Sequence, residues 1–534
     1  MLRIPKREQL KLKDEKVIVA AAINLIEEVY VHLPLKRAMH AIDPVQSLRL
    51  LQRELEARSS PMDDRLFHDR MIAIFTSLRD GHTVYLLPKF YASQVAVLPF
   101  YLEEFFEGRA KERQYVVSKL DARFKPKNSD FKPGAVVKSW NFVPIDRAVE
   151  LNAEKHSGSN PAARHSRGLE FMTLRPLIGS LPPDEKEVVI GYKPKSGKER
   201  EIRIRWRYKK RDLGDGIQLA MHVAGAAATA LGSDLQMEEI RRVKRKMFAR
   251  RGHWGKTSMG ENLRFRSVRT PAGRFGYLRT FSFMPPKRQN TAAFGERFFK
   301  EITRILRRFV QKRLQGLILD VRGNGGGLIT LAEMLLQLFT EERIVPERFE
   351  FICTPTTLKL VGKLAQSKRW ASSIRESLET GAPYSQGFPL TTETEANGTG
   401  QVFRGPVVLI TNALTYSATD MFTAGFQDHN IGPILGTDDN IGAGGANVYE
   451  YADLEHVKLP ALFPRLPKGA SFRVALRRST RVRSQSGALV EEFGVKPNEV
   501  HRMTLNDVLH SNEDLIHHAA TLLRQQENGA RKNN

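Results

Sequence analysis

Two runs constrain this chain more than any others: GLILDVRGNGGGL, ending at Leu328, and GPVVLITNALTYSATDMF, ending at Phe422. Each opens as a short apolar stretch of the kind that forms a buried strand. The first then breaks into a glycine-dense loop, and the second into a turn and a helix start. LITLAEMLLQLF follows the first with helical spacing, and GPILGT supplies another strand after the helix SATDMFTAGFQDH. Upstream, FGYLRTFSF reads as a strand and FGERFFKEITRILRRFVQKRL as a long amphipathic helix. Strands and helices in alternation predict an α/β unit whose strand ends present loops.

This unit spans about half of the 534 residues. At roughly 100–200 residues per domain the chain holds three or four units. Residues 1–93 read as helical, with VIVAAAINLIEEVYVHL, PVQSLRLLQRELEAR and LFHDRMIAIFTSLR carrying apolar residues three and four apart. An Asp80–Gly81 break leads from these into the strand-like HTVYLLP. Residues 94–212 are short β-rich runs. Within them FKPGAVVKSWNFVPIDRAVEL resembles the middle of a PDZ domain, with a helix expected from Ile145. NAEKHSGSNPAARHSRG reads there as an inserted loop, and no carboxylate-binding loop is recognisable. Residues 213–268 read as a mobile basic insertion or linker with one helix around MEEIRRVKRKMF, residues 269–510 as the α/β core, and residues 511–534 as a C-terminal helix and polar tail.

The net charge is +25, with a pI near 10.0, and suits acidic partners. Much of it falls in two blocks, Arg241–Arg251 and Arg473–Arg483. These read either as solvated faces or as a surface that steers acidic ligands. No zinc-finger, RNA-binding sheet or helix-turn-helix signature accompanies them, so nucleic acid is not an expected partner. The single cysteine, Cys353, excludes an intrachain disulfide and reads as a buried structural thiol. The charged N-terminus and the absence of any long uncharged apolar run predict no membrane span and a cytoplasmic protein.

Chemistry enters at the two constraining runs. Glycines at a strand end let backbone N–H groups face a ligand oxygen. The Gly-Lys-Ser/Thr ending of a phosphate loop is absent, as is G-x-G-x-x-G. Ser417 sits where a helix begins. Alone it reads as an N-cap. It also reads as a nucleophile beside free helix N–H groups, with the Ala418 amide placed to hold an oxyanion.

LILDVRGNGGGL and LITNALTYSATDMFTAGFQDHNIGPILGT, in this order and separation, resemble the tail-specific, tricorn-core and chlamydial activity-factor serine proteases. The resemblance covers roughly residues 60–520, apart from the basic insertion. It implies a multidomain α/β protein with a helical N-terminal region, a PDZ-like domain and a ClpP/crotonase-like catalytic core. The tail-specific branch takes its base from a lysine in a Gly-Lys-Gly loop. Here that loop reads GTDDNIGAGGANV, with Gly442 or Ala443 at the lysine's place. SLRDGHTVY resembles instead the Asp-Gly-His-Thr motif of the tricorn-like branch, which makes His82 the base, and a neutral imidazole suits that task. The resemblance assigns the orienting acid to Glu491 in EEFGVKPNEV, with the adjacent Glu492 standing as the alternative. It pairs Gly326 with Ala418 in the oxyanion hole and gives Asp428 a structural role. Asn498 stands where the family has Asp. Ser77 is a weaker candidate for positioning His82.

These readings predict a serine endopeptidase acting on protein or peptide substrates through an acyl-enzyme, with no metal or cofactor and with oligomeric state open. Two rivals stand beside it. One is an inactive relative that binds peptide or ligand, and the other is a nucleic-acid-associated factor.

Overall fold

The computed structural model describes residues 5–108, 112–126, 130–210, 231–248, 253–285, 290–364, 367–457 and 459–533. The α/β core carries a six-stranded sheet in the order Leu263–Thr270, Gly273–Thr280, Leu317–Asp320, Val407–Thr411, Ile434–Gly436, Glu499–Val500. The first pair is antiparallel, and every later neighbour is parallel. Parallel strands need covered faces. Helix Thr291–Gln311 supplies one cover with a stripe at Phe294, Phe298, Ile302, Ile305 and Phe309, all buried. All five residues of Val407–Thr411 are buried, as their unbroken apolar run predicts. The first core strand starts at Leu263, inside the segment expected to be linker.

A second sheet decides where the N-terminal region sits. Its long strand Ser471–Thr480 pairs with Arg348–Phe351 and Ala446–Glu450, and along its first residues with Val84–Leu86. In that last register Tyr85 opposes Phe472. The Phe472 ring stacks 5.3 Å from Phe75 and lies 5.5 Å from Tyr85. Helices Leu12–Glu28, Leu33–His40, Pro44–Glu56 and Asp64–Ser77 pack around this junction. No single described helix is long and apolar enough to cross a membrane.

The PDZ-like sheet runs Phe100–Glu107, Glu112–Leu120, Val136–Trp140, Glu187–Lys193, Arg200–Arg205, all antiparallel. Helix Ile145–Ala153 begins where the sequence places it. The segment expected as an inserted loop contains a second helix, Pro161–Thr173. Its start was readable: the Asn160 side chain accepts from the Ala163 N–H, and proline takes the first helical position.

Among the described residues, much of the two basic blocks is paired with carboxylates rather than solvated. In helix Leu235–Met247, Arg241 pairs with Glu238, Arg242 with Glu239, and Lys244 reaches Glu170 at 2.6 Å. In the second block Arg473 pairs with Glu450 at 2.7 Å, Arg478 with Glu350, and Arg481 with Asp428. Arg473 and Arg477 are buried. The insertion expected to be mobile thus contains a docked helix, while residues 211–230 and 249–252 lie outside the described residues. Cys353 is half-buried rather than buried, with Sγ 4.0 Å from the Phe351 carbonyl oxygen.

Candidate active site

Ser417 occupies a strand–turn–helix elbow between Val407–Thr411 and Ala418–Asp428. Its backbone has φ 64° and ψ −126°, a conformation that L-residues adopt only when their surroundings enforce it. Asp420 supplies the enforcement. Its buried carboxylate accepts the Ser417 N–H at 2.5 Å, the Gly444 N–H at 2.7 Å and the Ala443 N–H at 3.2 Å. Burial pushes this carboxyl up to about 8, against those three N–H donors. The loop that would carry a lysine base is therefore bolted to the Ser417 elbow, with Ala443 at φ 59°. Asp420 was not singled out from sequence. Its signal was the acidic residue three places after the serine, where a helix start wants one.

His82 reaches this elbow from a point 335 residues earlier in the chain, and Ser417 Oγ lies 2.7 Å from its Nε2. The preceding turn is tightly held. The His82 N–H donates to Asp80 Oδ1 at 2.7 Å, and Thr83 Oγ1 donates to Asp80 Oδ2 at 2.9 Å. The Gly81 N–H donates to the Tyr416 hydroxyl at 3.1 Å, and the Tyr416 ring lies 4.6 Å from the imidazole. Burial, with Arg473, Arg167 and Lys36 near, holds the imidazole well below its ordinary pKa. It is thus neutral, with Nε2 free to accept the serine proton. Ser77 takes no part: its hydroxyl donates to the Ile74 carbonyl within its own helix.

Two carboxylates, Asp80 and Glu491, approach the His82 side chain. One oxygen of Glu491, one of Asp80 and a ring nitrogen of His82 lie within 4.8 Å of one another. Among the described residues this trio is also the one cluster close enough to share a cation, although the Lys36 ammonium already holds Glu491 at 2.5 Å. Glu491 Oε2 and His82 Nδ1 are buried without hydrogen-bond partners among the described residues. Ser159, at the end of the PDZ-like domain's first helical connection, donates to Glu491 Oε1 at 3.0 Å. Glu492 turns away at φ 70° and pairs with Lys36 and His40. Neither Lys36 nor Ser159 carried a sequence signal, because nothing in their local patterns points at a residue more than 300 positions on.

The two oxyanion candidates differ. The Ala418 N–H has no acceptor among the described residues. The Gly326 N–H donates to Asn324 Oδ1 at 3.0 Å, so in this structure it is turned from the role the resemblance gave it. Its strand, Gly326–Leu328, is paired antiparallel with Leu231–Ser233, Gly232 opposite Gly327. Below the loop, Asp320 binds Arg279, Arg322 and the Tyr277 hydroxyl. Asp428 has the structural role expected, accepting from Arg481 on both oxygens.

A strained serine at the head of a helix, with an imidazole on its hydroxyl, marks a serine hydrolase. The family model for peptidase family S41 matches residues 274–498, and one for the PDZ domain matches residues 94–212. Mature CPAF superposes with a TM-score of 0.67 at 16% identity, covering 96% of this chain and 98% of that chain. Mature CPAF complexed with lactacystin superposes with a TM-score of 0.67 at 17% identity, covering 96% of this chain and 99% of that chain. At such identities the likeness is one of fold. Residues 274–498 thus match a peptidase family S41 domain, and the chain is a serine peptidase.

Proposed function

We propose that this peptidase cleaves peptide bonds through an acyl-enzyme, with Ser417 as nucleophile, His82 as base and Glu491 as orienting acid. The observation that carries the reading is the 2.7 Å contact between His82 Nε2 and Ser417 Oγ. His82 takes the hydroxyl proton as Ser417 attacks the scissile carbonyl, and returns it to the leaving amine. The Ala418 N–H and the helix start behind it stabilise the oxyanion. Glu491 acts on the imidazole across a span too long for a direct hydrogen bond and short enough for one water to bridge. The inactive-binder reading would need the serine and histidine apart, and the distance speaks against it. Replacing Ser417 with Ala leaves the fold intact and abolishes both casein hydrolysis and labelling by a fluorophosphonate. Full activity in that variant would sink the assignment.

One observation favours a second statement about the same site. Leu231–Ser233 lies on the glycine strand in the way an added peptide strand would. Its following residue is anchored by the buried Arg167–Asp234 pair and by the Asp234 N–H on the Gly325 carbonyl. We propose that this strand restrains the site until it is displaced, and that its release lets the Gly326 amide turn toward the oxyanion.

A further inference from the structure

We infer that Lys36 is a positioning residue for the peptidase reaction: its buried ammonium contacts the Glu491 carboxyl beside His82 and favours its anionic form. The inference rests on the Ser417–His82–Glu491 reading and adds to it a group that touches neither substrate nor reacting atoms.

Lys36 belongs to helix Leu33–His40 and is fully buried. Lysine is almost never found so deep unless it is paired. Its Nζ lies 2.5 Å from Glu491 Oε1, 2.5 Å from Glu492 Oε1 and 3.3 Å from the Arg79 carbonyl oxygen. An ammonium has three protons to give, and here three acceptors take them. The contact spans 455 residues of sequence and ties the first helices to the closing segment.

The groups around Glu491 explain why this cation matters. From the 79–83 turn come Asp80 and His82, and from the start of the Lys36 helix comes His32, whose Nε2 is 4.0 Å from Glu491 Oε2. From the closing segment comes Glu492, itself held by His40 at 2.8 Å, while Arg79 donates to the other nitrogen of His40. The PDZ-like domain contributes the Ser159 hydroxyl at 3.0 Å, and Arg164 acts on Glu492 at a distance. Among these described neighbours, Lys36 is the cation in contact with Glu491, and the remaining charges nearest it, Asp80 and Glu492, are negative. Burial pushes the Glu491 carboxyl up to about 8 even with Lys36 pulling it down. Burial alone would lower Lys36, but Glu491, Asp80 and Glu492 outweigh it and leave it above the ordinary lysine value. Take the ammonium away, and a buried carboxyl flanked by two anions keeps its proton to still higher pH. A protonated Glu491 offers no charge to the imidazolium that forms during attack.

The test is the pH profile of kcat/KM on a casein-derived peptide, measured for the full-length wild type and three variants. Lys36→Met removes the charge and keeps the chain length. Its acid limb moves to higher pH by about one unit or more. At pH 7 kcat therefore falls roughly tenfold, KM is little changed, and the deficit shrinks as pH rises. Glu492→Gln removes a neighbouring anion and gives the ammonium wholly to Glu491, so its acid limb moves the other way, to lower pH. A Lys36→Met deficit of the same size at every pH would overturn the inference. If Lys36→Met does not fold, Glu492→Gln decides alone, and an unmoved or alkaline-shifted limb overturns it. Ser417→Ala, run in parallel, separates the two levels: activity in that variant discards the triad, whereas an inactive Ser417→Ala beside parallel profiles discards only Lys36.

Discussion

Gly81 is the position where one added methyl group should disable catalysis without touching a reacting atom. Its backbone is not in the left-handed region, so alanine meets no conformational barrier there; the constraint is space. A Cβ built on Gly81 falls 2.9 Å from the Tyr416 hydroxyl oxygen and 3.2 Å from Cζ. Ordinary contact requires the ring to retreat by about 0.5 Å, and overpacking a filled interior on that scale costs about 1–3 kcal/mol. Tyr416 is buried, its ring lies 4.6 Å from the His82 imidazole, and it immediately precedes Ser417. Any retreat therefore changes the 2.7 Å serine–histidine contact. Misplacement by ~1 Å costs on the order of a hundredfold in rate, so about half of that displacement predicts roughly a tenfold fall in kcat. Tyr416→Phe alone strands the buried Gly81 N–H, at about 1–3 kcal/mol. In the double variant the phenylalanine lacks the oxygen that the alanine methyl would strike. Its destabilisation should fall short of the sum of the singles by about 1 kcal/mol, and its kcat should recover part of the loss. Urea unfolding and steady-state kinetics on the four proteins measure both. A Gly81→Ala enzyme with wild-type kcat, or strictly additive stabilities, would refute the packing argument.

Asp420→Ala leaves the Ser417, Ala443 and Gly444 N–H groups without their acceptor and should cost about 3 kcal/mol or more in urea unfolding. Fluorophosphonate labelling of Ser417 should slow with it, because the strained elbow relaxes; an unchanged labelling rate would show that the elbow stands without it. Gly232→Pro removes an N–H from the strand lying on Gly326–Leu328, and initial rates on casein should rise several-fold if that strand restrains the site. An unchanged rate would leave Leu231–Ser233 as structure only.

The parts of this protein legible in its sequence are those encoded over short distances. The apolar run before Asp320, the glycine loop after it and the helix start at Ser417 each state their structure within a dozen residues, and the core follows from them. His82 and Glu491 were readable only through motif resemblance, since no local pattern says that residue 82 will stand on residue 417. The arginines of the Arg473–Arg483 block misled for a related reason. Five basic residues in one stretch look like a solvated face, and only two partner strands and the end of helix Ala418–Asp428 reveal Glu450, Glu350 and Asp428 waiting for them. The helix Pro161–Thr173 was missed because Gly and Ser around His156 outweighed the Asn-Pro start. Lys36 was beyond reach, since a buried lysine is recognised by acceptors far along the chain.

Under the proposed Ser417–His82–Glu491 assignment, the wide separation of the three residues sets a timetable for activity. The histidine, the serine and the acid come from three segments, and the last of them, Glu491, emerges about 400 residues after His82 during synthesis. At roughly 5–20 residues per second that interval is about 20–80 s, during which the chain carries a base with no nucleophile and then a nucleophile with no orienting acid. On that assignment a growing or truncated chain is harmless to its neighbours, because the closing turn must dock before any peptide bond is at risk. The long-range contacts that make folding slow thereby delay the enzyme's first cut until the whole polypeptide is in place.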